Sequence, residues 1–303
     1  MKRPIVLIDA PTNLGLRPLR RGHVPGTWQA PAALARAGLD KAVAPTRKVG
    51  LPHPVYETEA QPGTRLRNGQ GIRTFNLGLA AAVAAAVKAG DFPVLVGGDC
   101  SILLGALAGA RRSGPLSLVH VDGHSDFRHP GNYDSAAVLG AVAGMDLALA
   151  TGRGEALLTD WPDAPAPLVP DERVIQIGER EGRDADFAWP DVNDTAITRI
   201  DVFTAREIRA SGILNRTRNT LDRAGLPFWV HFDVDVLDQD IMPAVDSPGS
   251  PGIDPADLII VLRDLADDAR CVGLTVTIFD PDLDPDGSHA HFVVALLRDV
   301  LVG

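Results

Sequence analysis

Cysteine is nearly absent: the 303 residues contain two, Cys100 and Cys271. Two thiols make no disulfide framework, and both adjoin apolar runs, as buried thiols of a reducing compartment do. No basic stretch offsets the acidic surplus of 39 Asp and Glu over 29 Lys and Arg, a net charge of −10. That argues against non-specific binding to nucleic acid or anionic membrane. Long hydrophobic runs are missing as well. The N-terminal MKRPIVLIDAPTNLG reaches Asp9 after five apolar-rich positions, too few for a signal-peptide core or a membrane span. The expected location is therefore the cytoplasm. Nor is there an internal repeat or a clear linker. The Pro-rich stretch from Trp161 to Pro170 has the length of a surface loop, so residues 1–303 are expected to form a single domain.

What is present is a series of short apolar runs rich in Val, Ile and Leu: Ile5–Asp9, Pro93–Val96, Leu116–Val121, Val174–Ile177, Phe228–Phe232 and Val272–Phe279. They lack polar alternation until their C-terminal ends, the pattern of strands buried on both faces of a parallel sheet. Between them the sequence predicts helices over Phe75–Lys88, Ile102–Arg112, Ser135–Leu149, Ala205–Ala224, Pro255–Asp268 and His291–Leu301. Asp254 before Pro255 and Gly225 after Ala224 read as caps. Such alternation predicts a three-layer α/β/α fold with a mostly parallel sheet. In that architecture ligands bind outside the C-terminal ends of the strands.

Two of those ends carry the informative residues. Leu116–Arg128 reads LSLVHVDGHSDFR and Phe228–Asp240 reads FWVHFDVDVLDQD. Alternate residues of a strand share a face, so Asp122, His124 and Asp126 converge from one end, and Asp233 and Asp235 from another. Four carboxylates gathered in a medium of low dielectric repel strongly. They call for one or two divalent metals held by oxygen and nitrogen ligands.

A Gly97-Gly98-Asp99-Cys100-Ser101 turn follows the run PVLV, and a Pro/Gly-rich loop, PAVDSPGSPG, follows the second acidic motif. In this order the motifs resemble those of the ureohydrolases, the family of arginase, agmatinase and formiminoglutamase. The resemblance runs from the first strand to Pro281. It implies an arginase-like fold and two metal ions, usually Mn²⁺, bridged by Asp122 and Asp233. Cys100 and Asp126 would complete one metal site, His124 and Asp235 the other. The implied reaction is hydrolysis of a C–N bond in a linear amidine or guanidine by a hydroxide held between the metals, which Asp126 would orient. Asp122, His124 and Asp126 are thus the expected catalytic group. Homo-oligomers, trimers or hexamers, are implied too.

Four departures bear on the substrate. Cys100 stands where most members have a histidine, and a thiolate favours Zn²⁺, Fe²⁺ or Ni²⁺ more than imidazole does. A His-Gly-(Met/Gln)-Pro pattern appears as Ala143-Gly144-Met145-Asp146, so the proton-shuttling histidine is missing at Ala143. His129, His289 and His291 are the imidazoles nearest the motifs. Ile278 falls where a guanidinium-binding Glu is expected, which disfavours arginine or agmatine held in the usual way. Arg128 sits where formiminoglutamase-like members hold a substrate carboxylate. Asp146 and Asp280 complete the expected substrate contacts, and His120 and His231 are expected behind the ligands. The sequence therefore predicts a metal-dependent amidinohydrolase acting on a modified guanidino or formimino amino acid. The rival expectation is a catalytically silent metal-binding relative, a scaffold or partner subunit.

Overall fold

The structure, a computed structural model, describes residues 3–184 and 186–303. Its strands are β1 (Ile5–Asp9), β2 (Arg47–Gly50), β3 (Phe92–Val96), β4 (Ser117–Val121), β5 (Val174–Ile177), β6 (Thr198–Ile200), β7 (Phe228–Asp233) and β8 (Cys271–Thr277). They form one parallel sheet in the order β2-β1-β3-β8-β7-β4-β5-β6. Strands β3, β4, β5 and β7 are buried at every position, as their unbroken apolar sequences require. The two edge strands were not anticipated. RKVG and TRI carry no apolar run, and only pairing with β1 and β5 makes them strands.

The helices are α1 (Ala30–Arg36), α2 (Leu39–Val43), α3 (Gly69–Lys88), α4 (Ile102–Ala110), α5 (Asp146–Ala150), α6 (Ala156–Thr159), α7 (Val202–Ala224), α8 (Pro255–Asp267) and α9 (Ser288–Leu301). They divide between two cores, one on each sheet face. Leu7, Val119, Val230 and Val276 pack with α1, α2, α7, α8 and α9. Val6, Ile8, Leu118 and Trp229 pack with α3, α4, α5 and α6. The period of two within each strand sorts side chains to the two layers. Helix α4 is buried on all sides, consistent with an apolar sequence that has no polar face.

Expected and observed helices differ in instructive places. The helix predicted over Ser135–Leu149 is absent except for its end, α5 with the short 3-10 turn Val142–Met145 before it. Gly140 is drawn into extended pairing, its N–H donating to Arg65 O at 2.8 Å and its carbonyl accepting from Arg67 N at 2.7 Å. Tertiary hydrogen bonds thus override local propensity. Helix α3 starts six residues before the predicted Phe75. Helix α7 begins at Val202 and is interrupted at Arg209, whose φ is +58°. Both predicted caps form. The Asp254 carboxylate accepts from Ala256 N at 2.9 Å, and Gly225 takes the left-handed conformation at the end of α7.

Candidate metal centre

The central strands β3, β8, β7 and β4 deliver the acidic and histidine residues to one edge of the sheet. Register aligns His120, His231 and Thr275 across β4, β7 and β8, and sets Asp233 beside Thr277. On the same faces, one step further out, stand Asp122 and Asp233. The turn after β3 brings Cys100 to them. Gly97 and Gly98 hold φ of +90° and +82°, and a Cβ at either would strike Pro31 or Ala10 O. Glycine is what lets the backbone pass that closely.

Cys100 Sγ lies 2.8 Å from Asp233 Oδ2 and 3.4 Å from Thr277 Oγ1. His124 Nδ1 lies 2.9 Å from Asp235 Oδ2 and 3.8 Å from Asp122 Oδ1. Backbone N–H groups fix the carboxylates: His124 N donates to Asp122 Oδ1, Gly123 N to Asp235 Oδ1 and Asp235 N to Asp233 Oδ1. Asp126 holds φ of +46°, a conformation that Asp tolerates better than most residues. The six expected ligands, Cys100, Asp122, His124, Asp126, Asp233 and Asp235, are therefore brought together.

The electrostatics explain what this cluster needs. Burial, reinforced by neighbouring carboxylates, pushes Asp122 up to about 7 and holds Asp126 and Asp233 well above the carboxylate range. Burial and the adjacent Asp233 likewise raise the Cys100 thiol well above its ordinary value. Burial opposes charge at His124, yet Asp235 and Asp122 raise it to about 10. Asp122 Oδ2 is buried without a hydrogen-bond partner. Divalent cations fit this donor set: they would let the crowded carboxylates and thiol ionise and would satisfy the unpartnered oxygen.

Beneath the ligands lies a second, wholly buried group. His120 Nε2 is 3.3 Å from Asp146 Oδ1, and its ring stacks on His231 at 4.9 Å. Asp146 is fully buried, so the expected substrate contact is corrected to an interior partner of His120. Asp280 is corrected as well. Its carboxylate accepts from Gly26 N at 3.0 Å and Asp282 N at 2.9 Å, and it does not line the pocket. His129 pairs with Asp191 and His289 with Asp284. Neither they nor His291 line the pocket.

The pocket above the ligands carries charges of both signs. Arg17, Arg128, Glu181 and Asp246 line it, together with Ala143, Ile278 and Trp189. Arg128 lies over the Tyr133 ring at 4.1 Å and near Trp189 at 5.5 Å, a stacking that suits the planar guanidinium. Glu181 Oε2 accepts from Ser125 N and Oγ, both at 3.2 Å. Burial raises Asp246 to about 6. Arg17, Glu181 and Asp246 were missed in the sequence. Glu181 had a readable signal, since it follows β5 by four residues, at the same sheet edge as the recognised motifs.

A parallel sheet edge carrying paired Asp/His motifs over a buried donor cluster defines a class of α/β metallohydrolase sites. Comparison with known proteins narrows the class. The family model described as "Arginase: Arginase family" matches residues 4–303, and this chain belongs to that family, hydrolases of C–N bonds in linear amidines. Among curated relatives, arginase of Brevibacillus brevis is 30% identical over 319 residues, covering 99% of this chain and 98% of its own. N(omega)-hydroxy-L-arginine amidinohydrolase of Streptomyces lavendulae is 27% identical over 221 residues, covering 73% and 71%. Among solved structures, arginase of Bacillus caldovelox superposes with a TM-score of 0.85 at 24% identity, covering 99% of each chain. Among the described residues no helix is long and apolar enough to cross a membrane.

Proposed function

We propose that this chain is a two-metal amidinohydrolase whose substrate carries an amidine or guanidine at one end and a carboxylate at the other. The observation that carries this reading is a pocket whose lining holds both charges: the acidic donors on its floor, and Glu181, Asp246, Arg17 and Arg128 in its wall. Asp122 and Asp233 would be shared by both metals, with Cys100 and Asp126 on one and His124 and Asp235 on the other. When bound, the pair would supply Lewis acidity and water activation. Carboxylate oxygens suit Mn²⁺, and the Cys100 thiolate shifts the preference towards Zn²⁺, Fe²⁺ or Ni²⁺.

The chain's own residues account for the remaining steps. Arg128, held between Tyr133 and Trp189, offers a fixed planar fork to a carboxylate. Glu181 and Asp246 face the cationic end of the substrate, where Ile278 has no charge to give. Asp126 accepts the proton released as water attacks the central carbon, and it returns that proton to the departing amine. Ala143 has no group for the task. The rival reading, a silent scaffold, finds no support, because the whole donor set converges and the pocket opens onto it. Urea and formamide release from a panel of guanidino and formimino acids tests the proposal. Urea marks a guanidine substrate, formamide a formimino one, and turnover of neither class by metal-loaded protein rejects it.

A further inference from the structure

Cys100 leaves one metal of the pair without the nitrogen donor that the family motif supplies at that position. A replacement stands two residues before Asp233, on the same face of β7. His231 brings a ring nitrogen to the cluster of Cys100, Asp122 and Asp233, where all the donor atoms lie within 4.8 Å of one another. All four residues are buried. We propose that His231 Nε2 is a metal ligand, joining Cys100, Asp122 and Asp233 at the metal assigned to Cys100 above; this rests on the two-metal reading above.

Three observations carry the assignment. First, His231 Nδ1 is 2.8 Å from Thr275 Oγ1, its register partner on β8. A hydrogen bond from one ring nitrogen orients a ligating histidine and leaves the other free for metal. Second, His231 Nε2 has no hydrogen-bond partner despite complete burial, and neither has Asp122 Oδ2 or Asp146 Oδ2. The nearest carboxylate oxygen, Asp146 Oδ2, is 3.6 Å away, beyond hydrogen-bond range. Unpartnered buried groups are costly, and a cation at this group would satisfy the His231 lone pair and Asp122 Oδ2 together. Third, the neighbouring His120 is placed differently. Its Nε2 faces Asp146 Oδ1 at 3.3 Å, and although its Nδ1 is unpartnered too, it stands outside the donor group of Cys100, Asp122 and Asp233 that includes His231. The histidine missing beside Ser101 has thus been returned from another strand, in a place that motif alignment does not inspect.

X-ray absorption at the metal edge of the Zn²⁺-loaded full chain tests this without relying on activity. With His124 and His231 both ligating, the spectrum gives two imidazoles and one sulfur per chain holding two metals. The His231→Gln variant is expected to show one imidazole, with one metal bound at least about ten-fold more weakly and the other retained. Two metals with one imidazole in the wild-type protein overturn the role of His231 while the two-metal reading stands. Failure of the wild-type chain to take up Zn²⁺ or any other divalent metal overturns both. The wild-type spectrum decides the matter even if His231→Gln does not fold.

Discussion

The floor of the pocket stands on strand ends, whereas its wall stands on loops. Asp122 and Asp233 extend β4 and β7, and backbone N–H groups hold their carboxylates in place. Arg17, Arg128, Glu181 and Asp246 come from four separate connections after β1, β4, β5 and β7. Floor geometry follows from the sheet, so it persists as long as the sheet does. The wall can change residue by residue without disturbing the core, and that is where substrate choice is written.

The predictions separate floor from wall. Asp233→Ala removes a carboxylate proposed to be shared by both metals. It is expected to lower kcat/KM by about 10³-fold or more, because several kcal/mol of charge stabilisation is lost. Steady-state kinetics with the best substrate of the panel measures it, and retention of a tenth of wild-type activity would detach the floor from the chemistry. Removal of metal should expose the stress in the floor as a pH dependence of stability. Asp122 rises from 3.8 to about 7 in the folded chain, with burial the leading cause. A raised folded value means that stability is fully present below the unfolded value and is lost as pH climbs through the folded one. The metal-free protein should therefore melt at progressively lower temperature between about pH 4 and pH 7. The metal-loaded protein should not, and parallel melting curves would contradict the account.

On the wall, Arg128→Ala is expected to raise KM by about 10- to 100-fold for a carboxylate-bearing substrate, the equivalent of one charge-assisted contact. The kcat should change little, and metal content should not change. A fall in kcat at constant KM would move Arg128 from binding to chemistry. Outside the pocket lining, Asp254→Ala removes the cap of α8. It should lower stability by about 1 kcal/mol in denaturant titration and leave kinetics untouched.

The same division governs what could be read from the sequence. Buried parallel strands announce themselves by continuous apolar runs, and a period of two at their ends makes converging ligands legible. The core strands and five of the proposed ligands, Asp122, His124, Asp126, Asp233 and Asp235, are legible that way, whereas Cys100 is reached only through the resemblance of its turn to the family motif. The edge strands β2 and β6 were not, because their residues look like loop until a neighbouring strand pairs with them. Asp146 and Asp280 misled for a related reason. An Asp inside a helix-like stretch or after a strand-like run is equally suited to ligand, cap or buried partner, and only packing chooses: Asp146 went to His120 and Asp280 to Gly26. Arg17 and Asp246 lie in connections whose path no periodicity predicts. Glu181 was within reach, had the end of β5 been read as β4 and β7 were.

Two cations held by Cys100, Asp122, His124, Asp126, Asp233 and Asp235 underlie both the floor and the chemistry proposed for it. Metal analysis of the purified chain, after incubation with Mn²⁺, Zn²⁺, Fe²⁺ and Ni²⁺ in turn, measures them. The prediction is two divalent metals per chain, with Cys100→Ala losing one of them. A chain that holds none of these metals, or that keeps both when Cys100 is replaced, contradicts it.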